Sequence, residues 1–197
     1  MSDRSILTAR TAFRTLSATS PSLAGVTILE RDRLQIATVI ARDPSFGPRV
    51  KACYDVDVPT GPHACSGPSV TFLGIGPRTW LAQREGGVPL TEELSDALGD
   101  CAAIADQSDG YAVLRIWGDR ARAAFEKGLS IDLHPRSFGP GDVAVTTCSH
   151  VGVIVHQVDD EPTYDIAMFR SYASAFCHWL TESAAEYGLA VNPDARA

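Results

Sequence analysis

The densest run of reactive side chains in this sequence is Asp132-Leu-His-Pro-Arg-Ser-Phe138. Asp132, His134 and Arg136 stand two residues apart and could supply an acid, a base and an anion clamp. The run has neither helical nor strand periodicity, so it reads as an irregular loop. Pro135 follows His134, and nothing in the sequence shows a carboxylate perturbed by a neighbour, as general acid–base work would need. Two readings stand side by side. The loop is an active-site wall, or it is a docking edge through which His134 and Arg136 reach backbone carbonyls or another protein.

Other pairings are weaker. Ser149-His150 and Cys177-His178 are adjacent in sequence. Neighbours on a strand point to opposite faces, and residues one apart on a helix do not face each other, so neither pair makes a nucleophile with its base. Cys53, His63 and Cys65 offer three zinc-type ligands in a flexible stretch, without the tight cysteine pair and fourth ligand of a structural site. Cys148 and His150 share a strand face and read as packing. Gly74-Ile-Gly76 is followed by Pro77 instead of a third glycine opening a helix, so no dinucleotide or phosphate cradle is present.

The bulk properties narrow the classes. With 197 residues the chain can bury a real core as one domain, and its net charge of −7 argues against nucleic acid as a partner. The longest apolar runs, residues 34–41 and 151–155, are strand-sized and far from the ~20 residues that a membrane helix needs. The basic residues are nearly all arginine, with Lys51 and Lys127 the two lysines, a bias that suits bidentate interface contacts or a high-GC genome alike. Five scattered cysteines form no disulfide framework, which fits a reducing, cytoplasmic setting. From Arg4 to Leu29 there is no acid among many Ser and Thr, a composition shared by organellar transit peptides and by polar arms.

These groups need elements to position them. Residues 1–24 read as a polar arm, 25–190 as a single domain and 191–197 as a tail. Residues 25–31 and 34–42 read as two strands of a hairpin joined by Arg31-Asp-Arg33, and residues 51–58 as a short strand in a loop-rich stretch. Val70 to Ile75 and Thr79 to Gln83 are further strands. Leu90, Leu94 and Leu98 mark one face of a helix with Thr91 as its cap. Residues 103–107 and 111–117 read as a hairpin around Ser108-Asp-Gly110. A short helix, 120–127, follows, capped by Asp119 and stopped by a left-handed Gly128. Strands 143–148, 152–157 and 163–169 precede a long helix, 171–187, with Ser171 as its cap, Ala175, Trp179 and Ser183 near one stripe, and Gly188 as its stop. Antiparallel strand sets with helices between them predict an α+β fold, helices packed on one face of an antiparallel sheet.

Several blocks together resemble the gamma subunit of heterotetrameric sarcosine oxidase. They are Phe72-Leu-Gly-Ile-Gly-Pro77 with Trp80-Leu81, Ile116-Trp-Gly-Asp-Arg-Ala-Arg122, Lys127-Gly-Leu-Ser-Ile-Asp-Leu-His-Pro-Arg-Ser-Phe138, and Phe169-Arg-Ser-Tyr-Ala-Ser-Ala-Phe176 with Trp179-Leu180. The match is best over residues 70–188, and its specific part is 128–141. The resemblance implies a fold like the folate-binding domain of the glycine-cleavage T-protein. It also implies partners: an alpha subunit with NAD and a tetrahydrofolate region, a beta subunit with FAD, covalent FMN in the complex, and a delta subunit with zinc. The gamma subunit of that flavoprotein complex is not known to hold a catalytic group, so no catalytic, cofactor-binding or metal-binding residue is assigned here. The complex oxidatively demethylates sarcosine to glycine, yielding hydrogen peroxide and formaldehyde or methylenetetrahydrofolate, a reaction of one-carbon metabolism. Under that reading Asp132, His134, Arg136 and Phe138 become interface residues. Two alternatives stand beside it: a free-standing folate-binding protein using Asp106, Asp109 or Asp132, and a gamma-like subunit of an oxidase for another N-methyl amine.

Overall fold

The computed structural model describes residues 11–13 and 24–192. Most of the predicted arm and residues 193–197 of the tail lie outside the described residues. The strands are β1 (Val26–Glu30), β2 (Leu34–Ala41), β3 (Ala64–Ser66), β4 (Thr71–Gly76), β5 (Thr79–Glu85), β6 (Ala102–Asp106), β7 (Tyr111–Trp117), β8 (Val143–Cys148), β9 (Val151–Gln157), β10 (Tyr164–Phe169) and β11 (Leu189–Val191). The helices are α1 (Phe46–Tyr54), α2 (Leu90–Leu98), α3 (Ala121–Glu126) and α4 (Ala173–Ala184). The strands form two sheets, ordered β11-β1-β7-β10-β9-β8 and β3-β4-β5-β2-β6. Pairing is antiparallel throughout except β1 with β11, which run parallel after Gly188 turns the chain at φ 75°.

The α+β class holds, and each sheet carries its helices on one face. The sheets themselves meet face to face, giving a helix–sheet–sheet–helix sandwich. α3 and α4 cover the outer face of the larger sheet through Phe125, Phe176 and Leu180. α1 and α2 cover the outer face of the smaller sheet through Phe46, Val50, Leu94 and Leu98. Between the sheets lies a third apolar layer containing Leu34, Ile36, Leu73, Leu81, Val113 and Ile154. Every central strand therefore buries both faces, one against helices and one against the opposite sheet.

Two sheets also explain where the hairpin readings fail. β1 and β2 belong to different sheets, as do β6 and β7, so Arg31-Asp-Arg33 and Ser108-Asp-Gly110 are crossovers between layers. Residues 51–58 are not a strand. Phe46, Val50 and Tyr54 recur every four residues, Pro48 lies in the first turn where its missing N–H costs nothing, and Asp55 ends the helix at φ 53°. None of the helices uses the predicted side-chain caps Thr91, Asp119 or Ser171. The positions are Pro89, Arg120 and Tyr172, and none makes a side-chain cap bond. In α4 the buried stripe is Ala173, Phe176, Cys177, Leu180, Ser183 and Ala184, with Trp179 packed against it, whereas Ala175 faces out. Gly128 is not left-handed. It is small because a Cβ there would lie 2.5 Å from the Trp179 indole.

Part of the arm is docked. Phe13 is buried in the core under the larger sheet, and the backbone N–H of Ala12 donates to Glu30 Oε1 at 2.9 Å. At the other end, Val191 pairs with Ile28 and Asn192 donates to the Ile28 carbonyl, so these two residues read as tail are part of the sheet.

Candidate functional site

The loop between α3 and β8 is clamped at both ends. At its start, Ser130 N–H donates to the Thr147 carbonyl (3.0 Å) and Ser149 N–H to the Gly128 carbonyl (3.0 Å), which lays the chain along the end of β8. At its far end, Ala64 N–H donates to the Gly141 carbonyl (2.7 Å) and Val143 N–H to the Pro62 carbonyl (2.8 Å), tying it to the other sheet. His63 Nδ1 lies 2.8 Å from Asp142 Oδ1, so this histidine is engaged with a carboxylate across the junction.

Within the loop, Asp132 is the organiser. Its carboxylate accepts from His134 N–H (2.9 Å) and the Ser137 hydroxyl (2.8 Å), and these bonds hold it below the usual carboxylate range. The His134 carbonyl then accepts from Ser137 and Phe138 N–H groups, and His134 Nδ1 accepts from Arg136 N–H (3.2 Å). Asp132, His134 and Arg136 are exposed on a turn built from local hydrogen bonds, an arrangement that holds a loop's shape. Phe138 differs from the expectation of an interface residue. It is 7% exposed and belongs to the core beneath the larger sheet, so it anchors the loop while the other three side chains face solvent.

The remaining predicted pairs separate. Ser149 and His150 form the two-residue turn between β8 and β9, at φ 45° and 72°, instead of lying on a strand. Cys148 is buried, which pushes its thiol up to about 12 and leaves it unreactive at neutral pH. Cys177 is buried while His178 is exposed. Among the described residues no three metal-ligating side chains cluster. Asp106 accepts from the N–H and hydroxyl of Ser108, holding the crossover turn after β6.

A site that the sequence reading missed lies between the sheets. On the inner face of the larger sheet, Arg115 of β7, Asp165 of β10 and His156 of β9 stand directly opposite one another in register. Arg115 donates from Nε and Nη2 to the two oxygens of Asp165, both at 2.8 Å. Arg31, at the crossover from β1 to β2, donates to Asp165 (2.9 Å) and to Glu85 (2.7 Å). Asp165 is 5% exposed and Arg31 13%. The bidentate partner raises the Arg115 guanidinium above its ordinary value, and two cations on one buried carboxylate balance its loss of hydration.

This row floors a cleft of about 570 Å³. The smaller sheet supplies Leu34, Gln83 and Glu85 as the facing wall, Arg84 stands at the edge on the opposite face of β5, and the loop 66–71 with Gly86 and Gly87 forms the rim. Arg84 is held by Glu93 (2.7 Å) and by the Val88 carbonyl (2.6 Å). Two buried polar atoms of residues around the cleft, Arg84 Nε and His156 Nδ1, have no hydrogen-bond partner among the described residues. Each is an orphan of a kind that costs about 1–3 kcal/mol. The signal for this row was an arginine and an aspartate within otherwise apolar strands. It reads as a solvent face until a second sheet covers it.

Burial pushes the His156 imidazole below its ordinary value; Asp165 opposes this, while Arg115 and Arg31 reinforce it. The unfolded chain therefore takes up a proton at a pH where the folded one does not. Stability should be full above the ordinary histidine value of about 6.5 and should fall as the pH drops below it. Urea unfolding between pH 5 and 8 checks this. The slope should flatten in His156→Leu, and an unchanged slope would assign it to other groups.

Comparisons with known proteins agree on a relationship. The model of the sarcosine oxidase, gamma subunit family matches residues 39–186. A chain of the heterotetrameric sarcosine oxidase from Corynebacterium sp. U-96, solved in complex with pyrrole 2-carboxylate, superposes with a TM-score of 0.75 at 25% identity, covering 82% of this chain and 85% of that one. The glycine cleavage system aminomethyltransferase T from Bartonella henselae superposes with a TM-score of 0.65 at 11% identity. That match spans 85% of this chain but 48% of the transferase, and the likeness is one of fold. No curated protein sequence matches at a significant level.

Proposed function

Because the chain belongs to the sarcosine oxidase gamma subunit family, we propose that it works as the non-catalytic gamma subunit of a complex that demethylates sarcosine to glycine. In this reading alpha, beta and delta partner subunits carry NAD, tetrahydrofolate, FAD, FMN and zinc. The products are hydrogen peroxide with formaldehyde or methylenetetrahydrofolate. The supporting observation is the match to the family over residues 39–186, together with a likeness to one chain of a heterotetrameric sarcosine oxidase along most of both chains. The described residues add a physical reason. Asp132 and His134 are engaged in local hydrogen bonds, and with Arg136 they stand on a pre-shaped, solvent-facing turn. Such a surface loses little entropy on docking.

Co-expression with the three proposed partners tests the assignment. The chain should co-purify with them, and the complex should make peroxide from sarcosine. Demethylation by the isolated chain, or failure to co-purify, would overturn it. Saturable micromolar tetrahydrofolate binding by the isolated chain would instead support a free-standing folate-binding protein. Arg136→Ala should leave the unfolding midpoint of the chain unchanged, since the side chain is exposed, and weaken assembly about tenfold or more, as loss of a central interface arginine does. Titration of the variant into the other subunits reads this; unaltered affinity would remove the loop from the interface.

A further inference from the structure

We propose that the free edge of β8 docks a short, extended, uncharged segment of a neighbouring subunit, an inference that rests on the gamma-subunit reading above. The edge strands are β8 and β11 of the larger sheet and β3 and β6 of the smaller one. β3 and β11 have three residues each, and β6 ends on the charged Asp106. β8 has six residues, Val143-Ala-Val-Thr-Thr-Cys148, with no charge and no proline. It lacks the devices by which an edge strand usually avoids pairing with another chain. Val145 is 61% exposed on it. Its cross-strand partner Ile154 and its neighbour Val143 lie in the layer between the sheets, so Val145 stands on the same face, beyond the cover of the smaller sheet.

The backbone sets the length of the occupant. Val143 N–H donates to the Pro62 carbonyl (2.8 Å) and the Thr147 carbonyl accepts from Ser130 N–H (3.0 Å), both on the side away from β9. Antiparallel pairing alternates, so the N–H and C=O of Val145 also point away from β9, as do the Val143 carbonyl and the Thr147 N–H. No described residue bonds to these groups. Pro62 and Ser130 hold the places opposite Val143 and Thr147, which leaves room only opposite residues 144–146. A second copy of this chain, pairing through its own β8, would need the places that Pro62 and Ser130 already fill. A short extended loop of another subunit fits instead, its middle residue exchanging two hydrogen bonds with Val145 and laying a small apolar side chain beside it. The site adjoins the docking turn: Ser130 Oγ lies 3.0 Å from Thr147 Oγ1, and residues 130–141 run from one end of β8 to the other. One partner surface can meet both.

The test uses the full chain, alone and assembled with the proposed partners, and reads amide hydrogen exchange over residues 143–148. In the isolated chain the Val145 and Thr147 amides should exchange fast between slow neighbours. In the complex the Val145 amide should lose its fast exchange. Val145→Lys should leave the unfolding midpoint of the isolated chain unchanged, since the side chain is exposed, and weaken assembly about tenfold or more, because it sets a charge against apolar side chains. Val145→Thr, uncharged and of the same branched shape, should assemble as the wild type does. Fast Val145 exchange within an assembled complex, or normal assembly of Val145→Lys, would overturn the site and leave the gamma-subunit reading standing. Failure of the wild-type chain to assemble would overturn both. Protection of Val145 that grows with the concentration of the isolated chain would show self-pairing and overturn the choice of occupant.

Discussion

Replacing Asp165 by alanine is expected to destabilise the fold by about 3–5 kcal/mol, the cost of leaving buried charges without their partner. Asp165 holds Arg115 through both carboxylate oxygens and Arg31 through one. Its removal leaves Arg31, 13% exposed, and Arg115, 32% exposed, without the carboxylate they share. Glu85 also binds Arg31, but it is largely exposed and sits at the mouth of the cleft, so it compensates weakly. Asp165→Asn keeps the shape and an acceptor oxygen while losing the charge, and should fall between wild type and alanine. Equilibrium urea unfolding measures the series. A loss below about 1 kcal/mol for alanine would mean that water enters the row freely and that these are surface ion pairs in effect. Because Arg31 lies between the sheets and Arg115 and Asp165 on the larger one, the alanine variant should also loosen the junction of the layers. Faster amide exchange at Leu34 and at Val113, whose carbonyl accepts from Arg31 N–H, would report it.

Phe138→Ala should cost a comparable amount, about 3–5 kcal/mol, since it empties a phenyl-sized space in the core beneath the larger sheet. Its second consequence concerns the loop. Phe138 N–H and Ser137 N–H both bond to the His134 carbonyl, and the Ser137 hydroxyl bonds to Asp132. Loss of the phenyl anchor should free this turn, raising amide exchange at residues 134–138 above that of the flanking strands. Assembly with the proposed partners should weaken further than Arg136→Ala alone, because the docking residues lose their shared geometry. If exchange in the loop stays at the level of β8, the local hydrogen bonds suffice and the anchor serves stability alone.

Much of the local structure was legible in the chain. Leu90, Leu94 and Leu98 announced α2, and all three are buried. Residues 34–42 and 111–117 read as strands, as β2 and β7 are, and 143–148 with 152–157 read as paired strands, as β8 and β9 are, although Ser149-His150 forms their turn instead of continuing a strand. The helix α1 was lost because Tyr54-Asp-Val-Asp-Val58 alternates convincingly, and the four-residue spacing of Phe46, Val50 and Tyr54 was hidden behind Pro48. The side-chain caps failed for a different reason. The short helices here are held by packing of one apolar face, so their first turns do not depend on a capping oxygen.

The candidate sites divide along the same line. Asp132, His134 and Arg136 stood out because a cluster of polar side chains in one short loop is a local fact. Arg31, Arg115, His156 and Asp165 did not, because their meaning depends on contacts between residues as far as 134 apart. By itself, the sequence determined the α+β class, the period of most elements, the resemblance to a family and the loop that carries its most specific block. Only the tertiary structure decided that β1 and β2, and likewise β6 and β7, part into separate sheets, and that the polar row of the larger sheet faces a cleft instead of bulk water. The physical reason is that side-chain period follows from neighbours along the chain. Whether a strand face meets water or a second sheet depends on burial that distant residues supply together.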